Sequence, residues 1–150
     1  MQIQVLCVGK LKEKFYCDAA ANLESEIRKK CSFTVCQIGD LPIPKNAGEK
    51  EETRIKVAEG KELLKHIPKT AYVIALCVEG KEINAKGHRE LLYKIQQSGY
   101  QQLIYVIGGS LGLSDEVVAR ADYRLSFSKM TFPHQLMRVM LLETIAGDYL

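Results

Sequence analysis

Apolar residues along this chain fall into short continuous runs separated by stretches in which they recur every three or four positions, the pattern of strands alternating with amphipathic helices. Gln2 to Val8 is the first such run, and it stops at Gly9. Beyond Lys10, Lys12 and Lys14, the residues Tyr16, Ala20, Leu23 and Ile27 follow at spacings of four, three and four, which aligns them on one face of a helix. Arg28, Lys29 and Lys30 close that helix, where cations meet the negative end of its dipole; a solvated helix end explains them better than an RNA contact.

Phe33 to Ile38 predicts a second strand, and the segment from Gly39 to Gly48, with Pro42 and Pro44, predicts a loop too short to link domains. Glu49 to His66 predicts a charged helix with a sparse stripe through Ile55, Ala58, Leu63 and Ile67, supported locally by Glu52 four residues before Lys56. Tyr72 to Val78 is nearly all apolar, as in a central parallel strand covered on both faces. A polar turn from Glu79 to Lys81 is expected after it. A helix from Ala85 to Gln97, a buried strand from Leu103 to Ile107, a short strand from Tyr123 to Ser126 and a final helix from His134 to Ala146 complete the pattern. Regular alternation of strand and helix predicts an α/β fold, an open and mostly parallel sheet flanked by helices.

Composition narrows the class. A chain of 150 residues, 47% hydrophobic and 26% charged, is expected to form one domain with a real core. Its apolar stretches fall short of the roughly 20 residues of a bilayer span, and Ile3 to Val8 lacks the basic start and cleavage region of a signal peptide, so a cytoplasmic protein with no membrane partner is expected. The net charge of +3 permits nucleic-acid binding without demanding it. Five cysteines without a C-x-x-C pair read as reduced thiols, and His66, His88 and His134 show no ligand spacing, so no metal is expected.

The candidate chemistry lies in the last third. Leu103 to Ile107 runs into Gly108-Gly109-Ser110-Leu111-Gly112-Leu113, with Ser114-Asp115-Glu116 as the first turn of a helix. A glycine-rich strand-to-helix turn lets backbone amides approach a ligand that a Cβ would exclude. G-G-x-x-G matches neither the dinucleotide fingerprint nor a P-loop, so the cluster is equally readable as a tight turn. The 127–133 segment, Phe127-Ser128-Lys129-Met130-Thr131-Phe132-Pro133, exposes large apolar side chains that either pack at an interface or line a pocket for a flat ring. The helix from His134 is apolar apart from an edge of Gln135, Arg138 and Glu143. Such a helix must be buried, and a subunit interface in a homodimer is the natural place for it.

The order I-G-G-S-x-G-L (Ile107 to Leu113) followed by L-S-F-S-K-M-T-F-P-H-Q-L-M-R-V-M-L-L-E (Leu125 to Glu143) resembles the SPOUT-class methyltransferases of the RlmH type. Val8 to Lys14 and Val73 to Lys81 resemble that family too, so the likeness covers residues 1 to 143. The resemblance implies a single SPOUT domain over 1–150 whose C-terminal part, about 103–150, is threaded into a trefoil knot. It implies S-adenosyl-L-methionine (SAM) as methyl donor, held by Leu76, Gly108, Phe127, Ser128, Lys129, Met130, Thr131 and Phe132. The implied reaction is methylation of N3 of a pseudouridine in a 23S ribosomal RNA hairpin, on the assembled ribosome, by a homodimer. His134 and Arg138, one turn apart on the last helix, are the candidates for proton handling and for contact with the imide or an RNA phosphate. Their plainer readings are a capping histidine and an ion-paired arginine.

One departure stands out. After Glu143 the family continues with a Gln-apolar-Tyr-Arg-Ala stretch and a tail bearing a Tyr-His pair, whereas this chain reads Thr144-Ile145-Ala146-Gly147-Asp148-Tyr149-Leu150. One alternative is therefore a dimeric SAM- or ribosome-binding module with impaired turnover; a second, independent of the tail, is a SPOUT methyltransferase acting on tRNA.

Overall fold

The computed structural model describes residues 1–148; Tyr149 and Leu150, the last part of the departing tail, lie outside the described residues. The elements run β1 (Gln2–Val8), α1 (Lys14–Arg28), β2 (Phe33–Ile38), α2 (Glu49–Lys65), β3 (Tyr72–Glu82), α3 (Ala85–Gln97), β4 (Gln102–Ile107), α4 (Asp115–Arg120), β5 (Tyr123–Ser126) and α5 (His134–Asp148). Five strands form one sheet in the order β2-β1-β4-β3-β5, and every neighbouring pair is parallel. The α/β class with a parallel sheet is as expected.

Alternation along the strands explains the layers. Ile3, Val5 and Cys7 of β1, with Leu103, Tyr105 and Ile107 of β4, pack on one face against Ala20 and Ile27 of α1, Leu92 and Ile95 of α3, and Leu141, Leu142 and Ile145 of α5. Leu6, Val8, Ile104 and Val106 point the other way, onto Leu63 of α2 and Val117 of α4. Both faces of β1 and β4 are thus buried, which is why these strands read as continuous apolar runs. Local signals set helix starts: the Asn84 Oδ1 accepts from the Gly87 N–H at 2.8 Å, and the Ser114 Oγ accepts from the Val117 N–H at 3.4 Å, each capping an orphan donor.

Two expectations need correction. The polar turn expected at Glu79 to Lys81 is strand: β3 continues to Glu82, and Leu125 of β5 pairs with both Leu76 and Lys81 across a bulge. The bulge turns 77–80 outward while the strand resumes pairing beyond it, so polar residues there belong to a sheet edge. The polar edge expected on α5 is also broken. Glu143 is exposed, but Arg138 is buried at 3% exposure beside Leu141, Leu142 and Ile145. The buried side of α5 faces the sheet and α1, while Leu136, Val139 and Met140 remain half-buried. Among the described residues, no helix is long and apolar enough to cross a membrane.

Candidate functional site

β3, β4 and β5 are adjacent parallel strands, so their carboxyl ends meet at one edge of the sheet, where α/β folds form ligand crevices. Three irregular segments rise there: the bulge at 77–80, the glycine turn at 108–114 and the loop at 127–133. Together they enclose a cleft of about 740 Å³, inside the roughly 300–1,000 Å³ range of small-molecule sites.

The glycine turn owes its shape to its own backbone. A Cβ on Gly108 would lie 2.6 Å from the Gly112 carbonyl carbon and 3.0 Å from the Leu113 nitrogen, so no side chain fits between the two limbs. Gly112 adopts φ +84°, open to glycine at little steric cost, and its N–H donates to the Gly109 carbonyl at 3.0 Å. The room that glycine leaves at Gly108 is taken by the loop's own backbone, while Gly108 itself still lines the cleft. The fold thereby turns Leu111 and Leu113 toward the cleft.

The 127–133 loop is held by two serines. The Ser126 Oγ donates to the Ser128 carbonyl at 2.9 Å, and the Ser128 Oγ accepts from the Met130 N–H at 3.0 Å. Phe127, Ser128, Met130, Thr131 and Phe132 line the cleft with Leu76 and Gly108. Lys129, at the tip, is exposed and is not part of the lining. Pro133 then leads into α5, its carbonyl accepting from the Met137 N–H at 3.0 Å.

His134 and Arg138 have different surroundings. His134 is half-buried on the cleft wall. Burial holds its ring below the usual histidine value, the Arg138 and Lys12 charges lower it further, and Asp40 raises it. The ring is therefore neutral at neutral pH. Arg138 lies behind the wall, donating an Nη2 hydrogen bond of 2.8 Å to the Gly9 carbonyl at the end of β1, while its Nε has no partner among the described residues. Through that bond it ties α5 to β1, and it is not among the residues lining the cleft.

Sequence reasoning missed the polar rim. Lys56 of α2, Arg124 of β5, Glu79 of the bulge and Asp115 of α4 all line the cleft. Lys56 is legible only as a helix partner for Glu52, and Arg124 only as the outward residue of a short strand, because neither carries a local motif. Their convergence depends on the strand order. Chemically, Leu76, Ile107, Leu125, Phe127 and Phe132 offer apolar walls for a flat heteroaromatic ring, the two carboxylates suit a cation, and Lys56 and Arg124 suit an anion. Among the described residues there is no cluster of three or more His, Cys, Asp or Glu able to hold a metal. Burial pushes the Cys7 thiol up to about 11 against the partial relief of Arg138, so it stays a thiol.

A sequence profile described as predicted SPOUT methyltransferase matches residues 1–146. The chain is 46% identical over 145 residues to the ribosomal RNA large subunit methyltransferase H of Clostridium botulinum (strain Kyoto / Type A2), covering 97% of this chain and 91% of that protein. It is likewise 46% identical over 149 residues to the ribosomal RNA large subunit methyltransferase H of Clostridium novyi (strain NT), covering 99% and 94%. Among solved structures, a probable methylase family protein from Haemophilus influenzae Rd KW20 shares the fold with a TM-score of 0.55 at 12% identity, over 98% of this chain and 66% of that one.

Proposed function

The chain belongs to the SPOUT methyltransferase family, and from that premise we propose that it transfers a methyl group from SAM to large-subunit ribosomal RNA, at N3 of a pseudouridine. The observation that carries this reading is the convergence of three parallel strand ends on one cleft with apolar walls and a half-buried histidine at its side.

The residues present fit SAM. Leu76, Phe127 and Phe132 would flank the adenine ring, the turn at Gly108 would close its edge, and Met130 and Thr131 would cover it from the loop. Lys129 would stay at the rim, since its side chain is outside the lining. When bound, SAM supplies an electrophilic methyl group on a sulfonium. With the cofactor in place, Phe127 and Phe132 would help exclude water from the cleft, which would strengthen the charge effects of the site. Placing the acceptor nitrogen in line supplies much of the acceleration.

N3 of a pseudouridine lies between two carbonyls and carries a proton that must leave as the N–C bond forms. His134, held neutral, offers a ring-nitrogen lone pair for that proton. Arg138 is better read as a positioning residue, because its guanidinium is engaged with the Gly9 carbonyl. The same reading includes a homodimer, a single domain with a knotted part over about 103–150, and the ribosome as the particle recognised.

Incubation with labelled SAM and large ribosomal particles lacking the modification is expected to give one methyl per particle. Transfer to tRNA instead would move the substrate, and saturable SAM binding in calorimetry without transfer to either RNA would reduce the protein to a binding module.

A further inference from the structure

α1 is basic at both ends, and the two ends are built differently. At its C-terminal end Arg28 pairs with Glu24 at 3.3 Å, Lys29 pairs with Glu26 at 2.9 Å, and the Lys30 Nζ donates to the Ala146 carbonyl at 3.3 Å. At the other end Lys10, Lys12 and Lys14 are all exposed, and none of them forms an ion pair among the described residues. One carboxylate, Glu13, sits among the three lysines. Next along the helix, Phe15 is 63% exposed, with its ring centroid 4.4 Å from that of Tyr16.

This segment is tied to the cleft. The Lys12 backbone N–H donates to the Gln135 Oε1 at 2.9 Å, joining the loop after β1 to the first turn of α5 beside His134. Just before it, Gly9 turns the chain with φ +82° and has its carbonyl held by Arg138. The lysines are thus displayed from a fixed loop at the mouth of the site, and the Lys12 charge is felt at the His134 ring. Inside the mouth, Lys56 and Arg124 add two cations to a rim that also carries Glu79 and Asp115.

We propose that the Lys10–Tyr16 segment is the docking edge for the RNA substrate, with Lys10, Lys12 and Lys14 taking backbone phosphates and the exposed Phe15 ring stacking an unpaired base. The inference rests on RNA being the substrate. Unpaired lysines interleaved with an exposed aromatic are the combination that single-stranded or looped nucleic acid requires, charge for the backbone and a flat face for a base. At the C-terminal end of α1, about 20 Å away at 1.5 Å per residue, the cations are already engaged and the neighbouring aromatic, Phe33, is buried.

The test uses the full chain in three forms besides the wild type: the triple variant Lys10→Gln, Lys12→Gln, Lys14→Gln; Phe15→Ala; and the far-end control Arg28→Gln, Lys29→Gln. Steady-state methylation of undermodified large ribosomal particles is followed across about 50–200 mM salt, with SAM affinity by calorimetry and association state by sedimentation. The triple variant is expected to raise KM for the particle at least tenfold and to flatten the log–log salt dependence by about 2–3 units, roughly 0.7–0.9 per lost phosphate contact. Phe15→Ala is expected to raise KM about tenfold without changing the salt slope. SAM affinity should stay within about twofold throughout, and the far-end control should match wild type. Unchanged KM in the triple variant, or an equal change in the control, overturns the docking edge. So does a Phe15→Ala protein that changes association state, because it assigns the ring to a second copy of this chain. A wild type that binds SAM yet never methylates ribosomal particles removes the function itself, a failure distinct from the others.

Discussion

Burial holds the His134 ring below the usual histidine value of 6.5, and charges from three parts of the chain then adjust it: Arg138 one turn along α5, Asp40 after β2, and Lys12 after β1. The signs are separable. A nearby cation makes the protonated ring costlier and lowers its pKa, and a carboxylate does the reverse. If His134 accepts the imide proton, kcat/KM falls in acid with a midpoint below 6.5. Asp40→Asn is expected to move that midpoint to lower pH, and Arg138→Met to move it to higher pH. His134→Gln should abolish the limb and lower kcat by about 10²–10⁴. Arg138→Met also strips the Gly9 carbonyl of its donor, at a cost of about 1–3 kcal/mol, partly offset because a buried charge leaves with it. Asp40 is exposed, so its variant keeps the test usable if the arginine variant is unstable. A pH–rate profile that is identical in wild type, Asp40→Asn and Arg138→Met would remove His134 from proton transfer.

Among the elements, β1, β2, α3 and β5 have the bounds that the apolar pattern predicts, because each is specified by local alternation or capping. β3 is the exception. Its continuation depends on β5, forty residues further along, and a Cβ on Gly80 would come within 2.8 Å of the backbone carbons of Arg124 and Leu125. Gly80 therefore lets the two strands close across the bulge, and no window around Glu79 could reveal it. Gly80→Ala is expected to destabilise the fold by about 1–3 kcal/mol, read as a lower urea midpoint with unchanged slope. It should also lower amide-exchange protection at Leu125 and Ser126 before β1 is affected. Full protection of β5 in that variant would show that the bulge tolerates a side chain. The candidate site divides in the same way. The glycine turn and the 127–133 loop are legible as motifs within single segments. The burial of Arg138, the exclusion of Lys129 from the cleft and the arrival of Lys56 and Arg124 are not, since each is decided by which distant segment lies opposite.

For the whole molecule the question is what covers the outer side of α5. The inner side is fully committed: Leu141, Leu142 and Ile145 are buried in the core shared with α1 and the sheet. Around the rest of the helix, Leu136, Val139 and Met140 are half-buried, with exposed Glu143 the carboxylate among them. A helix that keeps large apolar residues on its outer side gains little from facing water, and burying them at about 25 cal/mol per Å² favours association. A twofold axis beside α5 would set this stripe against its own copy, the self-complementary contact of a cyclic dimer. Wild type is then expected to sediment as a dimer at micromolar concentration, with a Tm that rises by a few degrees as concentration increases. Met140→Glu places a charge in the middle of the stripe and is expected to give a monomer whose Tm no longer depends on concentration. Met140 is not among the residues lining the cleft, so SAM binding measured on that monomer reports whether one copy of the chain completes the cofactor site. A wild type that stays monomeric under these conditions leaves the α5 stripe to a different partner and overturns the dimer.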